Sequence, residues 1–195
     1  SGELTSGTNS DTIIVCSINQ RNGDIKLASV YRDTYLDHTN GTYGKATECY
    51  AEGGAELSIN MLNKNLDLDI TDFVTVNFNA IVEAVDLLGG IEIDVTEEEL
   101  EWLNGYAYDL INQSQVENYT TYEPLTSAGT QNLNGVQALA YCRIRYTTGW
   151  DFKRTERQRE VLNKIFQKAQ SQGVTALASL VNQMLPDIAT SLSNT

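Results

Sequence analysis

From Asp72 to Val95 the hydrophobic period changes twice, and few folds accommodate that change. Asp72–Asn77 (DFVTVN) alternates with a period of two, as a half-buried strand does. Phe78, Ile81, Val82, Val85 and Leu88 then recur at steps of three and four, which predicts a helix over Phe78–Leu88. Gly89-Gly90 stops it, because glycine accepts the left-handed backbone of a helix C-terminus. Ile91–Val95 (IEIDV) alternates again. Strand, helix and strand in immediate succession form the unit from which parallel or mixed sheets are built.

The flanking sequence extends this α/β pattern. Thr12–Asn19 and Asp24–Tyr31 read as two strands joined at Asn22-Gly23, a two-residue hairpin signal. Asp37–Gly44 reads as a loop carrying the single histidine, His38. Gly54–Leu66 fits a helix. Thr96–Asn134 is the least readable stretch; its glutamates 97, 98, 99 and 101 read as a solvated helix face, with a lid over a pocket as the alternative. Val136–Tyr146 starts as helix or strand and ends as a strand. Asp151–Gln172 is a long helix with Asp151 as N-cap, and Val174–Leu185 is a second apolar helix stopped by Pro186. At 195 residues one domain is expected: a loose segment over residues 1–10, then a domain over 11–195.

Charge narrows the function. Thirteen basic residues against 26 acidic ones give a net charge of −13, which excludes general nucleic-acid binding. No Lys or Arg occurs between Asn65 and Cys142, and then Arg143, Arg145, Lys153, Arg154, Arg157 and Arg159 follow closely. A basic knot in an acidic chain points to a local anionic ligand; a solvated charged helix is the plainer alternative. No apolar run is long enough to span a bilayer, so the protein is expected either to be cytoplasmic or to have its anchor outside this chain. Cys16, Cys49 and Cys142 form no CxxC pair, and Cys16 and Cys142 read as small buried hydrophobes.

Facing arguments sharpen the knot. As a strand, Cys142–Arg145 puts Arg143 and Arg145 on the face of Leu139 and Tyr141, about 7 Å apart. Two guanidiniums at that spacing suit two linked phosphates. On the helix after Asp151, the residues Arg154, Gln158, Val161 and Ile165 share one face, so the apolar stripe ends in an amide and a cation. Arg157 lies close to that face and Arg159 well off it. A hairpin turning at Asn22-Gly23 sets Asp11 opposite Thr34, making Asp11 and Asp33 neighbours at its open end. Two such carboxylates suit Mg²⁺ or Mn²⁺, although each could merely cap a turn.

Taken in order, several blocks resemble the LytR-CpsA-Psr family. They are Ser10-Asp11-Thr12-Ile13-Ile14, Tyr31-Arg32-Asp33-Thr34, Lys45-Ala46, Tyr50-Ala51-Glu52-Gly53-Gly54, Val85-Asp86-Leu87-Leu88-Gly89-Gly90, Leu133-Asn134-Gly135-Val136-Gln137-Ala138-Leu139-Ala140-Tyr141, Arg143-Ile144-Arg145 and the run Asp151–Gln158. The resemblance implies an α/β (α+β) fold: one mixed central sheet flanked by helices on both faces. It implies an apolar cleft for a polyprenyl lipid, with the lipid diphosphate and Mg²⁺ at its mouth. Position by position, Arg32, Lys45, Arg143, Arg145, Arg154 and Gln158 would hold phosphate oxygens, and Asp11 and Asp33 the metal. Arg32, Asp33, Arg143 and Arg145 would be catalytic. The activity implied is a metal-dependent phosphotransferase moving a teichoic acid or capsule polymer from a polyprenyl-diphosphate carrier to peptidoglycan, at the outer face of a bacterial membrane behind an N-terminal anchor. The rivals are a diphosphatase, a lipid-phosphate receptor without turnover, and a transcription regulator, the last opposed by the charge and the missing helix-turn-helix pattern. The chain departs from the family at Asn9 and Tyr31, where Arg and Pro are usual, and it is expected to be trimmed at one or both ends. An elongated apolar tunnel is expected between the helix Phe78–Leu88 and the helix carrying Val161, Ile165 and Ala169.

Overall fold

The computed structural model describes residues 8–19, 21–117, 119–147, 150–173 and 182–192. In order, the elements are β1 (Ile13–Ile18), β2 (Ile25–Val30), β3 (Tyr35–Asp37), β4 (Tyr43–Lys45), α1 (Ala46–Leu66), β5 (Val74–Val76), α2 (Phe78–Leu87), β6 (Ile91–Val95), α3 (Glu97–Asn112), β7 (Gly129–Leu133), α4 (Gly135–Arg143), α5 (Trp150–Ser171), a 3₁₀ turn (Leu185–Asp187) and β8 (Ile188–Thr190). This is the expected mixture of helix and strand. Pairing is local: β1 with β2, β3 with β4 and β6 with β7 run antiparallel, and β5 pairs with β8. The strands on either side of α2 are therefore not neighbours among the described residues; β6 takes β7 instead. Most of residues 1–10, the Asp151 side chain and most of the expected helix Val174–Leu185 lie outside the described residues.

The chain divides into two compact units, one over Val76–Ile188 and one over Glu3–Thr75 with Ala189–Thr195. In the first, α2 starts where Asn77 accepts a hydrogen bond from the Ala80 N–H. It ends before Gly89 and Gly90, whose φ values of 76° and 89° are the left-handed stop the sequence announces. The strand β6 buries Ile91, Ile93 and Val95 and exposes Glu92 and Asp94, as strict alternation requires. These side chains pack with Val82, Val85, Leu103, Leu110, Leu133, Leu139 and Val161 in one core.

The α4 segment corrects the strand reading of Val136–Tyr146. Asn134 and Gln137 form a reciprocal capping box that starts a helix. Val136, Leu139, Ala140 and Arg143 then fall on one helical face. Asp86 Oδ1 adds a bond from the Gly135 N–H at 2.7 Å. A side chain at Gly135 would meet α2 head-on, because an added Cβ would lie 2.3 Å from the Val82 carbonyl oxygen. Backbone cannot yield as a flexible side chain does. Gly135→Ala is therefore expected to cost about 3 kcal/mol, the upper end for overpacking. That should lower the melting temperature by roughly 6–12 °C in a circular-dichroism melt. A variant melting within a degree of the parent would mean that α2 and α4 do not meet this closely.

In the second unit, Ala46, Cys49, Met61 and Leu62 of α1 pack on Ile13, Val15, Val30 and Leu36. The helix α1 begins earlier than its periodicity suggests and breaks at Gly53 and Gly54, the latter with φ of 66°. The segment read as a loop forms the β3–β4 hairpin. His38 follows β3 and is fully buried: its Nδ1 lies 2.9 Å from Glu52 Oε2 and its Nε2 lies 3.1 Å from the Lys45 carbonyl oxygen. It is thus a tie between hairpin and helix rather than a solvated loop histidine. Cys16, expected inside, is exposed, because β1 and β2 form a two-stranded ladder whose far end, at Ile18 and Ile25, stands in solvent.

Candidate functional site

The Asp11 cluster is set by strand register. Ile13 lies opposite Val30, two residues from the register a two-residue turn would give. The connection is longer than Asn22-Gly23: the Asn19 N–H bonds the Asp24 carbonyl across it. Continuing the observed register places Asp11 beside Arg32 rather than Thr34. Arg32 Nη1 donates to Asp11 Oδ1, and Arg32 Nε lies 3.8 Å from Asp33 Oδ2. Lys45 Nζ donates to Asp33 Oδ1 at 2.8 Å. Asp11, Arg32, Asp33 and Lys45 thus form an alternating chain of charges. Both carboxylates are about half exposed, at 48% and 49%. Asp33 pushes the Lys45 ammonium above its ordinary range, so it stays charged.

This cluster suits an anion and a hard cation together. Arg32 Nε is buried and makes no hydrogen bond, which leaves a donor for an oxyanion. Among the described residues, no group of three or more His, Cys, Asp or Glu is arranged around a metal position. Mg²⁺ does not need one, since it is commonly held by one or two carboxylates with water and phosphate oxygens completing its shell. Asp11 and Asp33 are hard oxygen donors of this cluster, each paired with Arg32 or Lys45.

A separate arginine cluster lies in the Val76–Ile188 unit. Arg143 closes α4, and Ile144 leaves the helix with φ −57° and ψ 124°, so Arg145 stands beyond it. The two arginines are not strand neighbours, as the sequence suggested. Arg143 Nη1 donates to Gln115 Oε1 at 2.6 Å, and its guanidinium stacks over the Phe78 ring at 5.4 Å. The α5 face is as expected: Arg154, Gln158, Val161 and Ile165 are all buried. Gln158 Nε2 donates to the Cys142 carbonyl at 3.4 Å, tying α5 to the last turn of α4. Arg143, Arg145 and Arg154 all act on one phenol, Tyr106. Burial and Tyr146 push its pKa up, while the three guanidiniums pull it down. The three arginines thus lie within electrostatic reach of one half-buried tyrosine.

Glu99 escaped the sequence reading, and Arg157 was read only as lying close to the Arg154 face. Arg157 is 4% exposed and Glu99 7%, and they form an ion pair, with Arg157 Nε donating to Glu99 Oε1 at 2.7 Å. The glutamate run is thus solvated at 97, 98 and 101 but not at 99. The signal was present: Thr96 and Glu99 sit at capping-box spacing, and they form that box. Burial alone would raise the Glu99 carboxyl, but hydrogen bonds from Thr96 and Arg157 outweigh it and hold the pKa below the usual glutamate range.

The order of these blocks along the chain is matched by other proteins. The model of the LytR_cpsA_psr family matches residues 2–195, essentially the whole sequence. The chain belongs to this family. It is 34% identical over 164 residues to the polyisoprenyl-teichoic acid–peptidoglycan teichoic acid transferase TagU of Enterococcus faecalis, covering 83% of this chain and 48% of that protein. It is 28% identical over 193 residues to the corresponding transferase TagT of Bacillus subtilis, covering 98% and 56%. A structure of TagT bound to LI-WTA superposes with a TM-score of 0.75 at 26% identity, covering 95% of this chain and 64% of that one. The chain thus spans about half the length of these two transferases.

In this LytR-CpsA-Psr chain the apolar faces expected to flank a lipid tunnel contribute to the core. Val82, Val85 and Leu88 of the α2 region and Val161, Ile165 and Ala169 of α5 belong to one packed core. Two open clefts lie among the described residues. One, of about 430 Å³, runs along the α5 surface beside Glu156, Arg159 and Lys164. The other, of about 360 Å³, is lined by Val82, Glu83, Asp86, Leu87, Glu117 and Tyr119, with Gln183. Neither is an elongated apolar channel. No described helix is long and apolar enough to cross a membrane.

Proposed function

We propose that this chain is the working part of a phosphotransferase that moves a glycopolymer of teichoic acid or capsule type from a polyprenyl-diphosphate carrier to peptidoglycan. The reading rests on one observation above others. A chain of net charge −13 brings Arg143, Arg145 and Arg154 within electrostatic reach of the half-buried Tyr106, and proteins similar to it over most of its length bear the name of such transferases. Arg143 and Arg145 take oxygens of the diphosphate, with Arg154 and Gln158 behind them. Guanidiniums clamp such oxygens bidentately and meet the charge that grows there as the bond breaks. In the other unit, Arg32 and Lys45 are cations of the kind that suits phosphate oxygens. Asp11 and Asp33 would hold Mg²⁺, which when bound supplies Lewis-acid neutralisation of phosphate charge. Asp33 is also the first candidate to take the proton of the acceptor hydroxyl. The hydroxyl oxygen bonds to the polymer-bearing phosphorus, the bridging P–O bond breaks, and polyprenyl monophosphate leaves with the electron pair. The protein would work at the outer face of the membrane, where carrier and peptidoglycan meet.

The test supplies the full chain with a polyprenyl-diphosphate-linked saccharide, peptidoglycan and Mg²⁺. Label covalently attached to peptidoglycan, released only by phosphodiester cleavage, is the expected result. Soluble phosphorylated saccharide with no attachment would make the protein a diphosphatase. Retention of intact carrier with neither product would make it a receptor.

A further inference from the structure

The buried pair of Glu99 and Arg157 reaches further than its own ion pair. Arg157 Nη1 donates to the Ile144 carbonyl at 3.1 Å, and Nη2 donates to the Thr147 hydroxyl. The Arg157 guanidinium also lies over the Tyr141 ring, 5.7 Å from its centroid. Glu99 uses both oxygens: Oε1 accepts from Arg157, and Oε2 accepts from the Thr96 N–H and hydroxyl, both at 2.9 Å. So α3, α4 and α5 of the same unit are joined through one guanidinium. The two groups it grips outside the helices, at 144 and 147, bracket Arg145 and Tyr146. That short stretch has no helix or strand to hold it.

Stability alone does not explain the pair. Taking two charges out of water is costly, and apolar side chains of the same volume often replace such a pair at no loss. Apolar side chains could not, however, hold a carbonyl at 144 and a hydroxyl at 147. We propose that Arg157, oriented by Glu99, is a positioning residue for Arg145: it fixes the backbone on both sides of Arg145, so that this guanidinium is already placed when a diphosphate arrives. The inference rests on the reading of Arg145 as a diphosphate ligand. Pre-placement matters because a donor aimed in advance loses less freedom on binding.

A double-mutant cycle tests it, read by calorimetric titration of the full chain with geranylgeranyl diphosphate. Arg157→Lys keeps the charge but loses the fork that spans both acceptors. It should weaken binding about tenfold in the parent and less than twofold in the Arg145→Ala background, because the residue it positions is then gone. Thr147→Val removes one acceptor only, and should weaken binding several-fold while leaving the thermal melt within a few degrees; it completes the same cycle if Arg157→Lys does not fold. Equal losses in both backgrounds would mean a general effect on the fold and would overturn the positioning role. Full affinity in Arg157→Lys or Thr147→Val would overturn it as well. Undiminished binding in Arg145→Ala alone would instead remove the diphosphate reading on which the inference stands.

Discussion

Replacing Arg143 and Arg145 together with alanine should weaken binding of a prenyl diphosphate by a hundredfold or more. Each charge-assisted contact is worth roughly 1.5–3 kcal/mol, which is about tenfold or more in affinity. The single variants should therefore lose about tenfold each. Arg143→Ala has a structural side effect, because Gln115 and the Phe78 ring lose their partner. A melting curve separates that from the loss of ligand. Arg159→Ala is the control: this residue lies off the Arg154 face and lines the cleft on the outside of α5. Titration with geranylgeranyl diphosphate reads all four proteins. Small and equal losses in every variant would mean that the basic knot is only a solvated surface.

The second large effect concerns the acidic pair. Asp11→Asn with Asp33→Asn should lower Mg²⁺-dependent transfer on the order of a hundredfold, the scale on which loss of electrostatic stabilisation acts on a rate. The Mg²⁺ concentration giving half the maximal rate should rise at least tenfold. The fold should survive. The ion pairs lost, with Arg32 and Lys45, join groups between 28% and 53% exposed, and pairs of that kind contribute only about 0–1 kcal/mol. A double variant with the parent's Mg²⁺ titration would move the metal away from these residues.

How much of this was legible depended on whether two patterns competed. The run from α2 to β6 was unambiguous, since Phe78 to Leu88 fits only the helical period and Ile91 to Val95 only the strand period. At Cys142–Arg145 both periods fit a few residues, and the capping box at Asn134 and Gln137 decided for helix. The hairpin register failed for a different reason. A slip of two residues leaves every side chain on its original face, so the hydrophobic pattern cannot detect it. Only the turn could, and there Asn22 Nδ2 bonds Asp24 within a connection longer than two residues. Asp11 and Asp33 were read from strand register and Arg32 and Lys45 from the family resemblance, and the four do assemble. Arg157 was harder, because its role is defined by an acceptor 58 residues away at Glu99, and spacing along one helix carries no trace of that.

The shape of the β1–β2 ladder has a practical use at the bench. The three thiols of the chain, of which only Cys16 stands on this ladder, are unequal partners for an electrophile. Burial pushes the Cys49 thiol up to about 11 and the Cys142 thiol up to about 12, so both stay protonated at neutral pH. Partial burial raises the Cys16 thiol as well, but its side chain is exposed on β1, so access rather than acidity sets it apart. Maleimide chemistry on the native chain should therefore mark one position without any engineered cysteine, placing a fluorophore or spin probe on the ladder that carries Asp11 at one end and leaving the arginines of α4 and α5 untouched.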